Sequence, residues 1–154
     1  MKQQKLEKMQ YIFGSLFLIS QRWQYLGDQY LAKDNLTTKQ WLLLAVIVRL
    51  FDSPPTLSEA AKAMGSSRQN IKQIALKLEK RGFLKIRADE KDSRILRLEV
   101  TDKSHQFWKT RVDQDDKYIA GFFKNLSETE IETFYIIMRK ISDQTEKLLN
   151  LSKI

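Results

Sequence analysis

One stretch, residues 56–100, limits this chain to few folds: TLSEAAKAMGSSRQNIKQIALKLEKRGFLKIRADEKDSRILRLEV. Thr56 and Glu59 have the T-x-x-E spacing of a capping box, in which each side chain satisfies an orphan backbone N–H at a helix start. Leu57, Ala60, Ala61 and Met64 then fall on one helical face, and Gly65 stands where a left-handed residue ends a helix. Ser67 restarts the chain as an N-cap. Behind it Ile71, Ile74, Ala75 and Leu78 keep the i, i+3, i+4, i+7 spacing of a buried stripe. Two short helices about a glycine turn make a helix-turn-helix order. Residues 83–87 and 95–100 next alternate apolar and polar, as half-buried strands do, around a charged loop at 88–94. A helix-turn-helix followed by such a hairpin is a winged helix.

The buried stripe leaves Arg68, Gln69, Asn70, Lys72, Gln73 and Lys77 facing outward. Asn and Gln pair with two atoms of an adenine edge, and Arg or Lys with a guanine edge. Ser66 and Ser67, with the backbone N–H groups of a helix start, suit a phosphate. On an isolated helix the same residues would read as an ordinary solvated face. Their place in a helix-turn-helix turns the reading toward double-stranded DNA.

The run Gly65-Ser-Ser-Arg-Gln-Asn-Ile-Lys, then Leu78-Glu-Lys-Arg-Gly82-Phe-Leu, then Asp92-Ser-Arg94 resembles the MarR family of bacterial transcription regulators. The Asp-x-Arg at the wing, at this distance from the helix, is the most specific part. The resemblance covers essentially the full length and implies a mainly α fold with a small β-wing, a winged helix-turn-helix flanked by long dimerisation helices. It also implies that residues 67–73 enter the major groove. Arg94 then reaches the neighbouring minor groove, with Asp92 orienting it. Arg87 and Lys91 are the further wing candidates, and Ser66 and Lys77 extend the helix set.

Charge agrees with that partner. The net +8 is uneven: residues 62–94 hold ten Lys or Arg against four Asp or Glu, three quarters of the excess. A basic balance alone also fits a membrane surface or an acidic partner; clustering on a helix-turn-helix favours nucleic acid. The absence of Cys excludes disulfides and thiol sensing, and a single His, His105, makes a dedicated zinc site improbable. No cofactor or metal is expected. There is no Gly-rich phosphate loop, no H-E-x-x-H and no G-x-S-x-G, so no enzyme activity is expected. The apolar run at 11–19 is interrupted by Gly14 and Ser15, lacks a cleavage site and is too short to span a bilayer, so a cytoplasmic protein is expected.

The remaining segments read as helices. Residues 5–33 carry Leu6, Met9, Phe13, Leu16, Phe17, Trp23, Leu26 and Tyr30 on a broad aromatic face. That face is either simple core, or in part a pocket or a subunit seam. Thr37 and Gln40 form a second capping box, with Leu36 and Trp41 as a staple. Residues 42–50 are apolar almost all round and predict a fully buried helix, stopped by Pro54 and Pro55. A helix from Thr101 to about residue 124 follows. Ser127 and Glu130 then make a third box before Ile131, Phe134, Met138, Ile141, Thr145 and Leu148, an a/d seam that asks for a partner helix.

The organisation expected is a single MarR-like domain over 1–154, with a DNA-binding part at about 36–100 and helical dimerisation parts at about 1–34 and 101–154. The dimer seam falls to Leu6, Phe13, Phe17, Ile131, Phe134, Met138, Ile141 and Leu148. Two reading helices would then sit about one duplex turn apart, roughly 34 Å, on a pseudo-palindromic operator. The resemblance further implies repression, relieved by a small aromatic effector bound between dimer helices and winged domain; Phe13, Phe17, Trp23, Trp41 and Trp108 are the candidates to line such a crevice, against a filled core with no ligand. The other readings are a winged helix used for protein contact or for non-specific nucleic-acid binding.

Overall fold

The computed structural model describes residues 2–151. Its elements run α1 (Lys2–Leu31), α2 (Thr38–Leu50), α3 (Leu57–Ala63), α4 (Arg68–Lys80), β1 (Leu84–Ala88), β2 (Leu96–Val100), α5 (Asp102–Phe123) and α6 (Glu128–Leu151). The fold is mainly α with one small antiparallel ribbon, a winged helix-turn-helix. Two compact units are distinguished, residues 1–106 and 107–154, and the boundary falls within α5.

In the first unit, helix starts are set by local side chains. Thr37 accepts from Gln40 N at 3.3 Å while Gln40 accepts from Thr37 N at 3.0 Å. Thr56 and Glu59 make the same reciprocal pair at 3.1 and 2.7 Å. Ser67 accepts from Asn70 N at 3.1 Å and starts α4. Helix ends are set by two glycines. Gly65 (φ +56°) and Gly82 (φ +75°) occupy the left-handed region that L side chains avoid. Around each, two backbone bonds close a Schellman motif: Ser66 N to Ala61 O and Gly65 N to Lys62 O, then Phe83 N to Leu78 O and Gly82 N to Glu79 O.

These stops fold α2, α3 and α4 around one apolar centre. Leu43, Leu44 and Ile47 of α2 are buried together with Leu57, Ala60 and Ala61 of α3 and Ile71, Ile74, Ala75 and Leu78 of α4. The ribbon closes over it with Phe83, Leu84 and Leu98. Leu84 pairs with Val100, Ile86 with Leu98 and Ala88 with Leu96. Leu98 N also donates to Pro55 O at 2.8 Å, and Thr56 bridges to Arg97, so the proline segment joins the ribbon's edge. The expectation of an α2 buried all round is met on one face only. Leu42, Val48 and Leu50 are 41, 48 and 63% exposed, because α3 and α4 cover the opposite side.

Long α1 is likewise covered only at its end, where Gly27 and Leu31 are buried. Its aromatic face is not simple core: Phe13 and Phe17, 66 and 58% exposed, meet each other edge to face at 5.1 Å. At Gly27 the first turn of α2 comes very near. Thr38 donates from N to Asp28 Oδ1 at 2.6 Å and from Oγ1 to Gln24 O at 3.0 Å.

In the second unit, Arg111 is buried and donates to Asp115 Oδ1 at 2.9 Å, one helical turn on, with its guanidinium over the Phe107 ring. Ser127 and Glu130 form the expected box, with Ser127 N donating at 2.8 Å and Glu130 N at 3.4 Å. No described residue of α6 is buried. Its seam residues Ile131, Phe134, Ile141 and Leu148 are 37 to 56% exposed, and Met138 is half-buried.

A Cβ at Gly27 would lie 2.4 Å from Thr38 Oγ1, nearer than van der Waals contact permits. Gly27→Ala should therefore lower stability by about 1–3 kcal/mol through overpacking. Adding Thr38→Ala should recover part of that loss, because the colliding oxygen is gone. Thermal denaturation of the two single variants and the double variant measures this. Strictly additive losses would show that the two positions do not touch.

Candidate nucleic-acid interface

Helix α4 has two sharply different sides. Ile71, Ile74, Ala75 and Leu78 face the core, and every remaining position from Arg68 to Lys77 is exposed. Arg68, Gln69, Asn70, Lys72, Gln73 and Lys77 thus share the outward surface, as the spacing predicts. Leu76 lies there too, 41% exposed, an apolar group the sequence reading did not place.

The start of the helix is more ordered than a surface turn requires. Asn70 is held twice, by its backbone N to Ser67 Oγ and by its side-chain Nδ2 to Ser66 Oγ at 2.8 Å. Ser66 is half-buried, whereas Ser67 is exposed.

The wing is built on carboxylates. Asp89 accepts from the backbone N–H groups of Lys91 and Asp92 at 2.9 and 3.2 Å, turning the chain at the tip. The same carboxylate receives the Arg97 Nε–H, and Arg97 Nη1 donates to Pro54 O at 2.9 Å. Asp92 accepts from Arg94 three times: backbone N at 3.0 Å, Nε at 3.0 Å and Nη2 at 2.9 Å. The Arg94 side chain nevertheless stays 88% exposed. Its position is held while its outer edge remains open. Arg87 meets Glu99 at 2.8 Å across the ribbon, so part of its charge is neutralised, and Lys91 is exposed at the tip.

The hydrogen bonds from Arg97 and from Lys91 N hold the Asp89 carboxyl below the usual carboxylate range. The guanidinium and the backbone N–H of Arg94 do the same to Asp92. Both guanidinium groups are raised in turn. Carboxylates ionise near pH ~3.9 in an unfolded chain. Because the folded values are lower, what these bonds contribute to wing order is complete above that range and is lost as pH falls through the folded values.

Two arginines to which the sequence analysis gives no role shape this surface. Arg97 ties the wing to the segment before α3. Arg81, at the end of α4, donates to Asp34 O at 2.6 Å and to Asn35 O, fastening α4 to the turn between α1 and α2. The backbone carbonyls that both reach lie more than forty positions away, which no local pattern signals.

The other candidate residues lie on several helices. Leu6, Phe13, Phe17 and Trp23 belong to α1 and Trp41 to α2, in the first unit; Trp108 of α5 is in the second. A shallow depression on α1 is lined by Gln21, Arg22, Tyr25 and Leu26. Among the described residues no cluster of His, Cys, Asp or Glu suits a metal ion. No described helix is long and apolar enough to cross a membrane.

Residues 34–95 match the profile of the MarR family. The chain is 34% identical over 91 residues to the transcriptional repressor MprA of Escherichia coli K12, covering 59% of this chain and 52% of that protein. It therefore spans about half the length of the curated relative it matches. The BldR transcriptional regulator of Sulfolobus solfataricus superposes with a TM-score of 0.80 at 18% identity, over 91% of this chain and 98% of that one. MepR of S. aureus, in a MepR–DNA complex, gives 0.72 at 21% identity, over 86 and 97%. At such identities the two structures speak for the fold. The stretch matched by the family profile runs from the turn before α2 through the helix-turn-helix to the wing loop, and over that stretch the chain is similar to the MarR family.

Proposed function

We propose that this protein is a homodimeric, sequence-specific DNA-binding regulator that represses transcription. The observation that carries the reading is the outward side of α4, polar and basic throughout its first two turns, beside a wing whose tip arginine is held yet exposed. MprA, 34% identical over 91 residues, is a transcriptional repressor, and MepR, which shares the fold, is complexed with DNA.

In this reading Gln69, Asn70 and Gln73 meet base edges in the major groove, while Arg68, Lys72 and Lys77 neutralise phosphates. Arg94 enters the adjoining minor groove, where it senses width and negative potential more than base identity. Ser66, Ser67, Arg87 and Lys91 line the approach. Two copies set their reading helices roughly 34 Å apart on a pseudo-palindromic site. The exposed seam of α6 and the aromatic face of α1 supply the dimer contacts; large apolar patches of this kind mark interaction surfaces. A small aromatic ligand relieves repression by binding the free and DNA-bound conformations with different affinity. The exposed Phe13–Phe17 pair supports an aromatic partner.

Fluorescence-anisotropy titrations at several salt concentrations, on a selected site and on random DNA, test the division of labour. Gln69→Ala should cost about 1–3 kcal/mol on the selected site and much less on random DNA. Arg94→Ala should weaken both and flatten the salt dependence by about one unit of slope. If Arg94→Ala leaves affinity and slope intact while Gln69→Ala weakens both DNAs equally, the basic surface is a generic phosphate binder.

For the dimer, Ile141→Asp introduces a charge into the α6 seam, which is costly wherever that seam is buried. Analytical ultracentrifugation should show the wild-type chain as a dimer and the variant dissociated or unfolded. A variant dimer as stable as the wild type would remove α6 from the interface.

A further inference from the structure

The bond between Ser66 and Asn70 gives the DNA-reading surface a chemical preference. A side-chain amide has two N–H donors and one carbonyl acceptor, and on an exposed helix face it ordinarily rotates freely. Here the backbone N–H of Asn70 is engaged by Ser67 Oγ at 3.1 Å and a side-chain N–H by Ser66 Oγ at 2.8 Å. Ser66 itself is half-buried and sits in the turn closed by its own backbone bond to Ala61 O. The anchor is therefore a fixed point rather than another mobile group. With one donor spent on Ser66, Asn70 keeps one donor and one acceptor.

That remaining pair matches one base edge. Adenine presents an N7 acceptor and an N6 donor in the major groove, whereas guanine presents two acceptors there, N7 and O6. Asn70 is in the first turn of α4, and in helix-turn-helix proteins the N-terminal residues of the second helix contact bases. We propose that Ser66 is a positioning residue for base readout: its hydroxyl presets the Asn70 amide, so that the chain selects an adenine at one position of each half-site. This rests on the DNA-reading function proposed above.

The test begins with full-length protein and duplexes selected from a random-sequence pool. Single adenines in a selected duplex are then replaced by 7-deazaadenine, which lacks the N7 acceptor. In each half-site one replacement should weaken wild-type binding by several-fold, and Asn70→Ala should erase that sensitivity. Ser66→Ala should weaken binding to the selected duplex by about 2- to 12-fold, the effect of freeing one side chain that binding must then immobilise. It should also blunt the response to 7-deazaadenine at that same position, with a larger loss of affinity on the selected duplex than on random DNA. Ser66→Thr, which retains the hydroxyl, should restore both.

The inference is overturned if Ser66→Ala keeps full discrimination at the Asn70-dependent base, or if it weakens selected and random DNA equally, as loss of a phosphate contact would. It is also overturned if the base that depends on Asn70 is not adenine. These results leave sequence-specific binding intact. Failure to enrich any duplex from the pool would instead overturn the DNA-reading function together with the inference.

Discussion

The outward surface of α4 depends on the burial of one stripe of the same helix. Ile71, Ala75 and Leu78 are almost completely excluded from solvent, and Ile74 nearly so. Fully burying a Leu or Ile side chain stabilises by about 1.5–3 kcal/mol, far more than any single surface contact on the other side. The helix has no freedom to roll without exposing that stripe, so the identity of the outward residues follows from the inward ones. Both ends of α4 are fixed as well, by the Ser67 cap and by the Schellman turn at Gly82. Arg81 adds a tether to the α1–α2 turn.

The wing solves a different problem, since a loop of charged residues has no core to hold it. Its order comes from two carboxylates that accept from backbone N–H groups and guanidinium groups together. Asp89 shapes the turn and joins it, through Arg97, to Pro54; Asp92 holds Arg94. Exposed ion pairs of this sort contribute little to global stability. Their effect is local. In the proposed DNA-binding role, a preset arginine loses less side-chain freedom on entering a groove, so binding costs less.

Much of this was legible because its causes are local. Capping at Thr37, Thr56 and Ser127 involves residues three positions apart, and the buried stripe of α4 follows from a spacing of three and four. Gly65 is likewise readable, since a glycine after a periodic apolar run signals a left-handed stop; Gly82 ends α4 in the same way, a stop the sequence analysis does not assign. The pairing of Asp92 with Arg94 was legible through the family resemblance. What escaped was set by distant chain segments. Gly27 meets Thr38 only after α1 and α2 pack, and Arg81 and Arg97 find carbonyls more than forty residues away. The composition of α2 misled in another way. An apolar helix reads as buried all round, yet its Leu42, Val48 and Leu50 face outward in the single chain. The Ser66–Asn70 bond had a visible i, i+4 spacing, but two exposed polar residues at that distance are common enough to pass unnoticed.

In the proposed function the two sides of α4 have separate tasks, stability inward and recognition outward. An alanine walk along Arg68–Lys80, recording melting temperature and affinity for a selected duplex for every variant, tests it most directly. Ile71, Ile74 and Leu78 variants should lose about 2–5 kcal/mol of stability. Variants at Arg68, Gln69, Lys72, Gln73 and Lys77 should melt like the wild type and bind DNA more weakly. Outward variants that destabilise the fold while leaving affinity untouched would contradict the account.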